Sequence, residues 1–194
     1  MKIDDSGMPE KSYWDSLFDM SLIIDWLDLQ RVSGPIIEIG CGYGTFTVPI
    51  AQTTSEAIIS YDIDPAMIET TRKNLHTANI QTVVLNQRDI LEEGTGIISG
   101  SCGLVLLFNI LHFETRSILL EEATRILRPG GVIAIIHWRK DIPTPRGPAH
   151  HLRPDQNVIL ETIAGLDLAF DGKSRILEPY HWGIQLRKIG KTVE

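Results

Sequence analysis

The sequence predicts a doubly wound α/β fold, with a mostly parallel sheet and helices on both of its faces. Between residues 36 and 136, short runs rich in β-branched residues alternate with amphipathic helical segments. The short runs are apolar on both sides, as parallel strands are when helices cover both faces of their sheet. The chain has 194 residues, 43% of them hydrophobic, which suits one domain with a sizeable core. We therefore predict a single domain over residues 1–194.

The first element is an amphipathic helix over residues 12–29, part of an N-terminal helical cap over residues 1–33. Ser12 and Asp15 resemble a capping box at its start. Apolar residues recur along it at helical spacing. A Ser-Gly-Pro sequence at residues 33–35 ends it.

The core of the predicted sheet covers residues 34–138. Pro49 falls in the first turns of a helix, where its missing N–H is tolerated. Asp64 is predicted to be the N-cap of the next helix, with Pro65 at its first position. The predicted strands are 36–39, 57–61, 82–85, 104–108 and 132–136, and the helices between them are 45–52, 64–78 and 117–127, the last ended by Pro-Gly-Gly at 129–131.

The C-terminal part begins with a segment that breaks this alternation. Residues 139–154 contain four prolines and four cations, and a connection of this length is usually functional. The cations, Arg139, Lys140, Arg146 and Arg153, suggest either a solvated loop or recognition of a carboxylate or phosphate on a substrate. A last helix over 157–164 and a pair of strands over 166–170 and 175–186, with Gly172 in the turn, complete the prediction.

The composition also restricts partners and location. The formal net charge of −7 gives a field that repels polyanions, which disfavours nucleic acid as a partner. No stretch approaches the ~20 consecutive apolar residues of a membrane-spanning helix. The acidic start has no secretory-signal pattern, and Cys41 and Cys102 are too few for a secreted disulfide framework. A cytoplasmic location is the simplest expectation.

A glycine-rich loop follows the first predicted strand. Gly40, Gly42 and Gly44 allow a tight turn and the close approach of a ligand. Asp62 ends the second strand about twenty residues later, where a carboxylate can accept hydrogen bonds from ribose hydroxyls. Asp64, by contrast, is explained by its role as a helix cap. The two features together predict a nucleoside site at the carboxyl edge of the sheet.

The glycine spacing distinguishes two kinds of cofactor. A dinucleotide site favours a third glycine one residue later, at the position that Thr45 occupies here. The carboxylate of Glu38, just before the loop, would repel a pyrophosphate and suit a cofactor that carries an ammonium and a sulfonium. This disfavours a nicotinamide-dependent oxidoreductase.

In these features the sequence resembles the class I S-adenosylmethionine-dependent methyltransferases over residues 34–138. Residues 38–44 look like the glycine-rich first motif of that family, and Asp62 matches its ribose-binding acid. Residues 88–90 are similar to the motif after the third strand, whose acid contacts the adenine amino group. Residues 109–113 lie at the fourth-strand exit, and 127–131 match a recurring helix-to-strand turn.

The resemblance implies a seven-stranded sheet with an antiparallel C-terminal strand, and S-adenosyl-L-methionine as the cofactor. It also implies that the N-terminal helix covers the methyl donor. The cofactor-binding residues that we predict on this basis are Tyr13, Glu38, Gly40, Cys41, Gly42, Asp62, Ile63, Asp89, Ile90, Asn109 and Ile110.

Methyl transfer is an in-line displacement, so such an enzyme chiefly aligns the acceptor and excludes water. Aromatic faces can stabilise a sulfonium. When the acceptor must lose a proton, histidine is the usual base, and His112 and His137 follow or end strands at the predicted site edge. No Cys, His or carboxylate spacing indicates a metal site. The aromatic candidates are Tyr13, Trp14, Tyr43, Phe113 and Trp138.

The acceptor is the open part of this interpretation. Asn109 is followed by Ile-Leu-His-Phe rather than the Pro-Pro-Tyr that many nitrogen-methylating relatives carry, which argues against DNA amines and favours a small molecule. A protein or RNA methyltransferase is the first alternative. A domain that binds the cofactor without catalysis, and serves as an interaction module, is the second. The oligomeric state cannot be predicted.

Overall fold

The computed structural model describes residues 9–190 and contains one seven-stranded sheet. The strand order is β3-β2-β1-β4-β5-β7-β6, and every neighbouring pair is parallel except those that β7 forms with β5 and β6. This confirms the predicted fold class, including the antiparallel C-terminal strand. The strands are β1 (Ile36–Ile39), β2 (Ile58–Asp62), β3 (Val83–Gln87), β4 (Cys102–Phe108), β5 (Leu127–Trp138), β6 (Leu168–Leu177) and β7 (His181–Lys188).

Helices cover both faces of the sheet, and their ends follow the signals in the sequence. Asp64 accepts a hydrogen bond from the backbone of Ala66, with Pro65 at the first helical position, as predicted. Pro49 lies in a first helical turn. The helices are α1 (Lys11–Asp15), α2 (Met20–Leu27), α3 (Thr47–Thr53), α4 (Pro65–Thr77), α5 (Ile90–Glu93), α6 (Arg116–Ile126) and α7 (Gln156–Thr162), with 3-10 turns at Leu29–Arg31 and His150–Leu152.

The core lies on both sides of the central strands. All residues of β1 and β4 are buried. One apolar cluster lies under α6 and α7, and the other under α1, α2 and α3. Strands buried on both faces hold their carboxyl ends rigidly, and this edge therefore makes a stable platform for a site.

The N-terminal helix prediction is wrong in its extent. Residues 12–29 do not form one helix, because α1 ends at Asp15 and α2 begins at Met20. Glu10, not Ser12, caps α1 by accepting hydrogen bonds from Ser12 and Tyr13. Asp19 caps α2 by accepting from the backbone of Leu22. A second capping residue inside the helical pattern thus starts a new helix.

The C-terminal strand pair also differs from the prediction. Gly172 lies within β6, at a bulge between Phe170 and Ser174, rather than in the turn. The connection between the strands is instead at residues 178–180. A glycine inside a strand often marks such a bulge. In addition, Pro129, Gly130 and Gly131 belong to β5, which begins directly after α6.

Candidate functional site

A cavity of about 360 Å³ opens at the carboxyl ends of β1 to β4. β1 pairs with β2 on one side and with β4 on the other, so the chain reverses its direction of winding at this strand. Such a switch point is where open α/β sheets bind ligands. The volume is within the range of small-molecule sites.

The glycine-rich loop forms the floor of the cavity. Gly40, Gly42 and Gly44 all have positive φ, at 83°, 53° and 76°. A Cβ atom on Gly40 would lie 3.0 Å from the Ile110 side chain, and one on Gly44 would lie 3.0 Å from Thr71. Glycine is therefore required here by both conformation and space, and the backbone is open to a ligand.

Asp62 joins the glycine-rich loop to the end of β2. Its Oδ2 accepts a hydrogen bond from the Gly42 amide at 2.8 Å, and its Oδ1 accepts from the Asp64 amide at 3.0 Å. Burial raises the pKa of the Asp62 carboxyl, against the lowering effect of these bonds. The carboxylate keeps lone pairs that can accept further hydrogen bonds from a ligand.

The ends of β2 and β3 supply the outer part of the cavity. Asp89 caps α5 by accepting a hydrogen bond from the Leu91 amide at 3.0 Å. Ile90 is buried in the lining beside it. Ile63 and Leu91 also line the cavity and are partly exposed at its mouth. This leaves apolar surface where a flat group could lie.

The fourth-strand exit carries the most unusual residue of the site. Asn109 has a φ of 59°, which is uncommon for a residue with a side chain. Its amide oxygen and nitrogen are both buried, and neither has a hydrogen-bond partner among residues 9–190. Because buried polar atoms are normally satisfied, such a group at a cavity is available to a ligand. Ile110 lines the cavity next to it.

Comparison with known proteins agrees with this arrangement. A family profile described as "Methyltransferase domain" matches residues 36–131, which include β1 to β4 and the glycine-rich loop. The match identifies a methyltransferase domain in this chain and confirms the predicted resemblance to the class I methyltransferases. A SAM-dependent methyltransferase from Aquifex aeolicus superposes with a TM-score of 0.79 at 15% identity, covering 93% of this chain and 94% of that one.

Other similar proteins show that membership of this fold does not by itself identify the reaction or the acceptor. The ribosomal protein L11 methyltransferase of Photobacterium profundum is 40% identical over 119 residues, which are 59% of this chain but 37% of that protein. That of Pseudomonas aeruginosa is 29% identical over the same shares. The chain thus spans little more than a third of these relatives. The cyclase SpnF has the same fold, with a TM-score of 0.74 at 11% identity, covering 97% of this chain and 86% of that one, so fold alone does not fix the reaction.

Of the two predicted catalytic histidines, only His112 lies at the cavity of this methyltransferase domain. Its ring lies 3.9 Å from that of Phe113, between centroids. Burial lowers the pKa of His112, so the imidazole is neutral at neutral pH. Its Nδ1 is buried and finds no partner in the described part of the chain. A neutral imidazole with a free nitrogen can accept a proton.

His137, the other predicted catalytic residue, does not line the cavity. It is fully buried, and its ring lies 5.9 Å from His112 and 6.3 Å from Trp182, between centroids. Burial, with a smaller effect of neighbouring His112, lowers the pKa of His137 to about 3. It therefore stands behind His112 as a neutral core residue.

Glu38 is likewise not part of the lining. Its Oε2 accepts hydrogen bonds from the hydroxyls of Thr47 at 2.6 Å and Ser60 at 2.7 Å. Burial raises the pKa of the Glu38 carboxyl to about 7, although these bonds lower it. The predicted contact with a cofactor ammonium has no direct geometric support, because the side chain turns into the core beneath the loop.

Tyr13 is the third predicted residue outside the lining, and its neighbour Trp14 lines the cavity instead. Of the other aromatic candidates, Phe113 lines the cavity, whereas Tyr43 and Trp138 do not. Phe46 and Phe108 were not among the candidates, although both are part of the lining. Their positions just after the glycine-rich loop and just before Asn109 were a signal that could have identified them.

The 139–154 segment is not part of the cavity lining, and most of its cations have internal partners. Arg139 pairs with Asp141 at 2.7 Å, and Lys140 pairs with Asp155. Arg153 is nearly buried and donates hydrogen bonds to three backbone carbonyls of the segment, with its guanidinium 5.9 Å from the Trp138 ring. These contacts favour a structural role over the predicted recognition of a substrate anion.

Within residues 9–190, no helix is long and apolar enough to cross a bilayer. No group of three or more histidine, cysteine, aspartate or glutamate side chains within that range is placed to hold a metal ion.

Proposed function

We propose that this chain binds S-adenosyl-L-methionine in the cavity and catalyses transfer of its methyl group to an acceptor. The observation that carries the proposal is the convergence of four strand ends on one cavity. Each end brings one of the predicted elements. The glycine-rich loop follows β1, Asp62 ends β2, Asp89 follows β3 and Asn109 follows β4.

The residues of the cavity suit this cofactor. Asp62 would hold the ribose hydroxyls, and Asp89 with Ile90 would hold the adenine. Gly40 and Gly42 line the cavity with backbone surface, because glycine has no side chain. Asn109 contributes two unpartnered polar atoms. Among the described residues, the charged side chains of the lining are four carboxylates and one arginine, and this negative balance suits a cationic ligand. They are Asp62, Asp64, Asp89, Glu92 and Arg88.

When bound, the cofactor supplies a methyl group already activated by its positive sulfur. The protein then has to exclude water and orient the acceptor. One side of the cavity is aromatic and apolar, and it is formed by Trp14, Phe46 and Phe108. Asn109 can donate to and accept from the acceptor near the reacting atom. His112, held neutral by burial, can take a proton from an acceptor that must lose one.

The acceptor remains a choice between two classes. A small molecule fits the size and the aromatic side of the cavity and the negative net charge of the chain. A protein acceptor is supported by the ribosomal protein L11 methyltransferases among the relatives.

The two free, buried cysteines, Cys41 and Cys102, fit a reducing compartment, and we retain the prediction of a cytoplasmic location.

The test starts with calorimetric titration of S-adenosylhomocysteine into the full chain. We expect binding, weakened about tenfold or more in Asp62→Ala, since a charge-assisted hydrogen bond is worth about 1.5–3 kcal/mol. Asp167→Ala, a substitution outside the cavity, is the control. The transfer of a tritiated methyl group to lysate protein or to small metabolites then separates the two acceptor classes. Absence of S-adenosylhomocysteine binding would refute the proposal.

A further inference from the structure

We propose that Trp14 is the acceptor-contacting wall of the cavity, that Asp15 positions it through Thr45, and that this wall selects a flat, uncharged acceptor. The inference rests on the proposed function, because it assigns to the acceptor the part of the cavity that the residues proposed to bind S-adenosyl-L-methionine do not line.

Helix α1, which carries Trp14, depends on outside contacts for its position. It has five residues and none of them is buried. A helix this short is not stable in water by itself. The Tyr43 hydroxyl donates a hydrogen bond to the Pro9 carbonyl at 2.7 Å, and the Thr45 hydroxyl donates to Asp15 Oδ1 at 2.6 Å. Tyr43 lies in the glycine-rich loop and Thr45 directly after it. The loop that is proposed to bind the cofactor therefore also holds α1 in position.

The ring of Trp14 completes a continuous aromatic wall. It makes edge contacts with Phe18 and Trp138, at 5.1 and 6.1 Å between centroids. The contacts continue from Phe18 to Phe46 and from Phe46 to Phe108, both at 4.9 Å. Trp14, Phe46 and Phe108 line the cavity. Apolar ring surfaces of this kind bind flat partners by stacking or edge contact.

The charges of the cavity lie away from this wall. The lining carboxylates within residues 9–190 end β2 or follow β2 and β3. Arg88, the one cation that lines the cavity within residues 9–190, pairs with Glu93 at 3.6 Å and donates to the Thr95 carbonyl at 3.3 Å. An acceptor carrying a carboxylate at the wall would thus enter a negative cavity without a cation of its own, which is costly. An uncharged, planar acceptor avoids this cost.

The tryptophan fluorescence of the full chain offers a direct readout. Trp14 lines the cavity, whereas the other three tryptophans, Trp26, Trp138 and Trp182, are buried in the core. With S-adenosylhomocysteine saturating, we expect para-cresol to quench this fluorescence, and Trp14→Phe to remove most of the change. Two analogues of para-cresol serve as controls: para-hydroxybenzoate carries a carboxylate, and methylcyclohexanol has a saturated ring. Both should bind to the wild type at least about fivefold more weakly than para-cresol.

The positioning role of Asp15 is tested with a matched set of variants. Asp15→Ala should weaken para-cresol binding about fivefold through loss of one hydrogen bond, with the affinity for S-adenosylhomocysteine unchanged. Asp15→Asn keeps the acceptor oxygen and should restore para-cresol binding. Lys11→Ala removes the other partner of Asp15 and leaves the bond to Thr45 in place, so it should match the wild type.

The outcomes distinguish this inference from the proposed function. If S-adenosylhomocysteine does not bind, the proposed function fails. If it binds, but para-cresol does not, or all three probes bind equally, the aromatic selection is wrong. If Asp15→Ala binds para-cresol like the wild type, or Asp15→Asn fails to restore binding, the positioning role is wrong.

Discussion

The buried carboxyl of Glu38 should make the stability of this protein fall as the pH rises through the neutral range. Burial raises its pKa in the folded chain from the ordinary 4.5 to about 7. Between these pH values the folded chain keeps a proton that the unfolded chain has released. Folding therefore takes up a proton, and the free energy of unfolding decreases as the pH increases. The pKa difference corresponds to about 3 kcal/mol, complete above pH 7.

The assay is urea denaturation of the wild type and Glu38→Gln at several pH values from 4.5 to 8. The variant stays uncharged, so its stability relative to the wild type should improve by about 3 kcal/mol across this range. The free energy of unfolding of the variant should also differ from that of the wild type by an amount that does not depend on pH. The reason is that the new amide nitrogen replaces Oε1, which has no hydrogen-bond partner among the described residues. Glu121→Gln on an exposed position of α6 controls for the chemical change. A difference that stays constant with pH, within about 1 kcal/mol, would refute the reasoning.

Three other perturbations have defined outcomes. Gly103→Ala places a Cβ atom 2.2 Å from the Ser33 carbonyl oxygen, so urea denaturation should show a loss of about 3 kcal/mol or more, and near-wild-type stability would contradict this. The Glu122 pKa is held at about 2, chiefly by Arg125. Its stabilisation is present above pH 4.5 and lost as the pH falls toward 2, so Glu122→Gln should have a flatter acid limb, and an unchanged limb counts against it. Arg153→Ala should speed hydrogen exchange in residues 139–153 by about tenfold, since three hydrogen bonds to carbonyls are lost, and unchanged protection would reject that role.

The features predicted well from the sequence are those that depend on neighbouring residues. Asp64 and Pro65 specify a helix start by their own geometry, and the structure has that cap. The three glycines of the loop have positive φ, which residues with a side chain adopt far less readily.

The sequence does not reveal which way a side chain points in a strand buried on both faces. Alternation reveals the exposed face of a half-buried strand, but β1 and the end of β5 are apolar on both sides. Sequence position placed Glu38 and His137 at the site edge, whereas the packing turns both into the core. The same limit explains why Tyr13 was chosen and Trp14 lines the cavity, since a five-residue helix has no periodicity that identifies its inner face.

The antiparallel direction of β7 determines where the described chain ends relative to the cavity. Arg187, near its end, pairs with Val132 in the first half of β5, whereas His181 pairs with Trp138 at the carboxyl end. Residue 190 therefore lies at the amino edge of the sheet, opposite the cavity. A surface anchor on the residue-190 side therefore starts opposite the mouth, whereas residue 9, at the other end of the described range, precedes Trp14 by five residues and is held there by Tyr43. Immobilised binding measurements on this protein should accordingly be made through its C-terminal side.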